Sequence, residues 1–158
     1  MGGGKTSKID FSLLILALMV KVTLLTVGAL PRGPLAQIGT DFTTRLKKFA
    51  DLEVKSVKTD DRLLAAVPQG SLLIALDAAG KQFTSAAFAE KLGGWVDQGQ
   101  KLTFVIGGPH GVPAELKARA DLLLSLSPMT TNHDLAQLFF LEQLYRAFTI
   151  IKKMTYHY

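Results

Sequence analysis

The stretch KLTFVIGGPHG, residues 101–111, passes from a run of apolar residues directly into glycine. Leu102–Ile106 has almost no polar alternation, so a strand built from it is buried on both faces. Strands of that kind belong to parallel sheets covered by helices. Gly107 and Gly108 end the strand, and glycines there let the backbone turn and approach a ligand closely. Taken alone, such a turn is more often a ligand-free bend than a binding loop.

Working outward, the same pattern recurs. SLLIAL at residues 71–76 is a continuous apolar run closed by Asp77, with Gly80 expected to turn the chain. Val20–Val27 is a β-branched run, Leu52–Val57 alternates, and Leu122–Leu126 is a last strand-like segment. Helical spacing fills the gaps. Leu35, Ile38, Phe42, Leu46 and Phe49 share one face over Leu35–Phe49. Shorter helices are expected at Asp60–Val67, Ser85–Val96 (with Gly93-Gly94 fraying it) and Pro113–Ala120.

Asp134–Ile151 is the longest helix, and its apolar positions are too many for a single core-facing stripe. It is expected to be buried on two sides, the second against another subunit. Strands alternating with helices give an α/β fold, a mainly parallel sheet flanked by helices. Ligands in such sheets bind beyond the carboxyl ends of the strands. The loops after Leu76, Ile106 and Leu126 are therefore where chemistry is expected.

A length of 158 residues suits one domain, and 48% hydrophobic with 20% charged residues is the composition of a folding chain. The absence of cysteine excludes a disulfide framework, thiolate catalysis and Cys-based zinc sites. A formal net charge of +5 favours polyanionic partners such as RNA, an anionic membrane or phosphorylated ligands. The histidines and carboxylates show no metal-ligand spacing, so no metal is expected. No Ser/His/Asp arrangement points to hydrolysis.

Residues 1–18 are read as an N-terminal extension ahead of a start at Met19, with residues 19–158 forming the domain. Lys5 and Lys8 before the apolar Phe11–Val20 resemble an export signal, but no small-residue cleavage site follows. The segment is also too short to span a bilayer, which takes roughly 20 apolar residues. GGGKT at residues 2–6 lacks the upstream glycine and preceding strand of a phosphate-binding loop. Membrane association through Phe11–Val20 stands as the alternative to a cytoplasmic protein with no membrane partner.

The segment LSLSPMTTNH, residues 124–133, opens into the long helix, which carries LEQLYRA at residues 141–147, and Tyr156-His157 nearly closes the chain. In order and spacing these motifs resemble the RlmH group, large-subunit ribosomal RNA pseudouridine N3-methyltransferases of the SPOUT, or α/β-knot, superfamily. The resemblance runs from about Met19 to Tyr158. It implies a C-terminal trefoil knot, S-adenosylmethionine as methyl donor, ribosomal RNA or the ribosome as substrate, and a homodimer whose tails complete each other's sites. Carried over by motif, Leu76, Gly107, Leu126, Ser127, Pro128, Met129, Thr130 and Thr131 would line the cofactor pocket. Arg146, Tyr156 and His157 would meet the RNA.

His133 is the candidate general base, because a neutral imidazole accepts a proton near neutral pH. A capping or RNA-contacting histidine is the alternative. Glu142 and Arg146, four residues apart on a helix, read as an ion pair, with Arg146 also placed near the site or a dimer seam. His110 reads as an exposed loop residue. The chain departs from the family pattern at Asn132, Gln137 and Tyr158, where the family has proline, arginine and a basic residue. The Asp60–Gly70 region also looks shorter than in the family. The last two exchanges remove positive charge that would hold RNA, so a non-catalytic RNA-binding module is the second reading.

Overall fold

The computed structural model describes residues 18–28 and 31–156. The apolar segment Phe11–Val20 falls mostly, and His157 and Tyr158 wholly, outside them. Among the described residues no helix is long and apolar enough to cross a membrane.

Five strands form the sheet: β1 (Val20–Val27), β2 (Ala50–Val57), β3 (Ser71–Gln82), β4 (Lys101–Ile106) and β5 (Leu122–Ser125). Their order is β2-β1-β4-β3-β5, and every pairing is parallel. The expected α/β class is therefore borne out. Central β4 is buried from Leu102 to Ile106, the physical counterpart of its apolar run.

Helices cover both faces. One face carries α1 (Pro34–Leu46), α3 (Ser85–Asp97) and α5 (His133–Ile151) over Leu24, Ile74, Phe104 and Leu124. The other carries α2 (Leu63–Ala66) and α4 (Ala114–Arg119), whose Leu63 and Leu116 close over Leu25, Leu73, Ala75 and Val105. Pro34 opens α1, where a missing N–H costs nothing. Thr84 caps α3 by accepting from the Ala87 N–H at 3.1 Å.

The element boundaries differ from expectation where distant packing decides them. Helix α1 stops at Leu46 and not at Phe49, and β2 starts two residues early, at Ala50. Asp60–Val67 is not one helix but a 3-10 turn, Asp60–Arg62, running into α2. Gly93-Gly94 do not fray α3, which runs unbroken through them to Asp97.

The largest difference is at β3, which runs on to Gln82 instead of ending at Leu76. Ile74, Ala75 and Leu76 pair with Leu122, Leu123 and Leu124 of β5. The register then shifts, and Lys81 and Gln82 pair with Leu124 and Ser125. Residues 77–80 form the bulge. Gly80 does not turn the chain by a left-handed φ. A Cβ there would come within 2.6 Å of the Leu123 backbone, so glycine is required for two main chains to press together.

Helix α5 is enclosed mainly within its own chain. Phe140, Leu141, Leu144, Ala147 and Phe148 are buried against the sheet, and α1 and α3 pack on its flanks. Phe42 and Phe49 both meet Tyr145, with ring centroids 6.0 and 5.9 Å away. The expected second buried side is thus largely supplied by neighbouring helices. Leu135 and Phe139 remain 49% and 42% exposed.

Candidate cofactor and substrate site

At the carboxyl ends of β3, β4 and β5 the loops leave a groove of about 830 Å³. Its walls include Leu76 and Asp77 from β3, Ile106 at the end of β4 with Gly107 and Gly108 after it, and Leu126, Ser127, Met129, Thr130 and Thr131 after β5. Helix α5 adds His133, Leu135, Ala136, Leu138, Phe139 and Glu142, and α1 adds Phe42. Of the pocket residues expected from the sequence, only Pro128 stays out of this wall. It is exposed, and its ring lies outside the lining.

The glycine loop is built for close approach. A Cβ on Gly107 would fall 2.2 Å from the Gly111 carbonyl carbon, because the chain folds back on itself at once. The Gly111 N–H donates to the Gly108 carbonyl at 2.9 Å, closing a tight turn with Gly111 at φ 79°. The Gly108 N–H donates to Asp60 Oδ1, also at 2.9 Å. Asp60 thereby fixes the loop from the far side of the sheet, a role its sequence context did not signal. His110 is exposed, as expected.

His133 stands at the first position of α5. Asn132 caps the helix by accepting from the Asp134 N–H at 2.8 Å, so the capping alternative for His133 does not hold. The imidazole is held at both nitrogens. Nδ1 lies 3.0 Å from the Gly107 carbonyl oxygen, and Nε2 lies 2.7 Å from Nε2 of the buried Gln137.

Arg146 and Tyr156 gather around Glu142 and do not reach the groove wall. Arg146 donates to Glu142 Oε1 through Nε at 3.1 Å and through Nη2 at 2.5 Å, the ion pair that the four-residue spacing indicated. The Tyr156 hydroxyl donates to the same oxygen at 3.3 Å, and its ring lies 5.0 Å below the Arg146 guanidinium and 4.7 Å from Tyr145. Burial first, then the Glu142 charge, pushes the Tyr156 hydroxyl above its ordinary pKa. The tail is thus folded back on α5 at the only groove-lining residue of this cluster, Glu142.

A model described as predicted SPOUT methyltransferase matches residues 20–157. The chain belongs to the SPOUT methyltransferase family. Membership makes it a methyltransferase, which agrees with the expected activity and with S-adenosylmethionine as its cofactor. Among curated relatives, a ribosomal RNA large subunit methyltransferase H of Syntrophotalea carbinolica is 39% identical over 154 residues, covering 87% of this chain and 99% of the relative. The protein of the same name from Laribacter hongkongensis is 37% identical over 155 residues, with the same coverage.

Among solved structures, a probable methyltransferase of Bordetella pertussis has a TM-score of 0.57 at 12% identity, covering 86% of this chain and 99% of its own. A probable methylase family protein of Haemophilus influenzae scores 0.56 at 15% identity, covering 85% and 67%. Both share the fold.

One groove residue of this SPOUT chain titrates away from its ordinary value. Asp77 is held low, first by the hydrogen-bonded Lys117 ammonium and then by the Ala79 N–H at 2.9 Å. A carboxyl whose folded pKa is depressed stabilises the fold above the unfolded value of about 3.9 and loses that contribution as pH falls through the folded value. Because Lys117 is 37% exposed, the contribution is at most about 1 kcal/mol. Urea titrations are expected to show Asp77→Asn less stable than wild type near neutral pH. The gap should close below about pH 4.

Proposed function

We propose that the chain methylates N3 of a pseudouridine in large-subunit ribosomal RNA, working in the cytoplasm as a homodimer with a trefoil-knotted C-terminal half. The observation that carries this reading is the groove where the β3, β4 and β5 loops meet, in a SPOUT chain whose curated relatives bear a ribosomal RNA methyltransferase name. The volume falls in the range of cofactor sites, and its walls mix apolar side chains with exposed glycine and loop backbone.

S-adenosylmethionine supplies a methyl group on a sulfonium, a good electrophile that needs alignment more than activation. Leu76 and Leu126 provide apolar walls for an adenine, and the Gly107 backbone with Ser127 and Met129–Thr131 provides polar partners. Alignment and exclusion of water are then the main catalytic contributions of the protein. Arg146, Tyr156 and His157 are proposed to face the RNA. In one chain Glu142 holds the first two, and RNA phosphate would compete for the same guanidinium.

Support for the knot comes from membership of the SPOUT family, and the strand order β2-β1-β4-β3-β5, with α5 returning from edge strand β5 to pack on β4, is compatible with it. Support for the dimer comes from the apolar rim of the groove. Met129, Leu135 and Phe139 remain exposed there, beside a site that a second copy's tail would complete.

Mass mapping of ribosomal RNA from cells with and without the gene tests the reading. One methyl group on one uridine-type base is expected to disappear, and an unchanged map would overturn the function. Calorimetry with S-adenosylmethionine separates the alternative. Binding without transfer to ribosomes would make the chain a non-catalytic RNA-binding module.

A further inference from the structure

His133 looks at first like the proton acceptor that methylation of a ring N–H calls for. Its surroundings argue otherwise. The Gly107 carbonyl has no proton to give, so the proton between it and Nδ1 belongs to the ring, and Nδ1–H donates at 3.0 Å. In the neutral imidazole the lone pair then sits on Nε2, where the Gln137 amide N–H donates to it at 2.7 Å. Gln137 is 3% exposed, and its own place in the helix, one turn after His133, aims it at that nitrogen.

No carboxylate among the described residues is hydrogen-bonded to the ring. Asp77 on β3 and Glu142 on α5 line the same groove but are bound to Lys117 and Arg146. Asp134 follows His133 in the first turn of α5 and makes no hydrogen bond to the ring, while Asp60 binds the Gly108 N–H.

We infer that Gln137 holds His133 as its Nδ1–H tautomer, so that His133 is a positioning residue clasping the Gly107 loop to α5 and not the base that takes the substrate proton. The clasp joins two walls of the groove, the loop after β4 and the start of α5. Its loss is therefore felt in cofactor affinity before it is felt in turnover. The inference rests on the methyltransferase reading for its kinetic consequence but not for its tautomer.

Ring nitrogen shifts of 15N-histidine-labelled wild-type protein near neutral pH read the tautomer directly. A protonated Nδ1 with an unprotonated Nε2 on His133 is expected. An imidazolium, or the opposite tautomer, would overturn the inference whether or not the protein is active. Gln137→Glu provides a second reading, since a carboxylate cannot donate to Nε2. The ring should then carry both protons at neutral pH, and an unchanged neutral ring would count against Gln137 as the donor.

Kinetics separate positioning from proton transfer. The side-chain nitrogen of asparagine lies the same number of bonds from Cα as Nδ1, so His133→Asn keeps a donor toward Gly107. His133→Ala is expected to raise KM for S-adenosylmethionine about tenfold with a smaller change in kcat, and His133→Asn to recover most of that loss. Equal loss of kcat in both variants, with disappearance of a histidine-like limb from the wild-type pH profile, would make His133 the base and overturn the proposal. Wild-type protein that neither binds the donor nor methylates ribosomal RNA would overturn the functional reading instead, leaving the tautomer result standing.

Discussion

Gly107→Ala is expected to remove cofactor binding and to destabilise the fold by about 3 kcal/mol, the scale of a backbone collision that cannot relax by rotamer change. The new methyl would fall 2.2 Å from the Gly111 carbonyl carbon, 2.3 Å from its oxygen and 2.5 Å from the Val112 nitrogen. All three are main-chain atoms. Relief requires the turn closed by the Gly111 N–H to Gly108 carbonyl bond to open. That movement carries the Gly107 carbonyl away from His133 and the Gly108 N–H away from Asp60. Both groove geometry and stability then fail together. Urea denaturation and calorimetry with S-adenosylmethionine measure the two losses. Retention of donor affinity within about twofold, a difference of a few tenths of a kcal/mol, would show that the loop yields without cost.

Phe140→Ala is expected to cost about 3–5 kcal/mol, the usual range for emptying a phenylalanine site in a core. Phe140 is fully buried on α5, and its ring stacks at a tilt on that of Phe104, with centroids 4.6 Å apart. Phe104 lies in central β4, which leads directly into Gly107. The pair therefore ties the longest helix to the strand whose end forms the groove. Its loss should lower the urea midpoint strongly at unchanged m-value. Phe140→Leu should recover more than half of the loss, because it restores most of the volume. Equal destabilisation by leucine and alanine would mean that the aromatic pairing, and not the filled volume, is what α5 needs.

How much of this was legible before the structure depends on the reach of each interaction. Leu102–Ile106 and Ser71–Leu76 were readable because burial on both faces leaves a local trace, a run without alternation. The Glu142–Arg146 pair was readable because one turn of helix brings those residues together whatever the rest of the chain does. The pocket segments were legible by resemblance, and the structure brings Leu76, Gly107, Leu126, Ser127 and Met129–Thr131 into one groove.

Other features left no local trace. Ala78-Ala79-Gly80-Lys81 has the look of a turn, yet β3 continues past it because β5 offers partners after a register shift. Gly93-Gly94 looks like a helix end, yet α3 continues through it to Asp97. Tyr156 reaches Glu142 only because the chain reverses after α5, with Lys153 at φ 54°.

The stretch at 101–111 thus set the class of sheet, the end of the sheet where ligands bind and the need for glycine at the turn, since all three follow from residues within one strand and its loop. The state of His133 was decided elsewhere. Its Nδ1 proton is placed by a carbonyl 26 residues earlier in the chain, while Gln137, one helical turn away, is a local partner that the packing buries. Hydrogen bonds between segments distant in sequence exist only after the chain has packed, and they turn a residue that looks like a base into part of the wall.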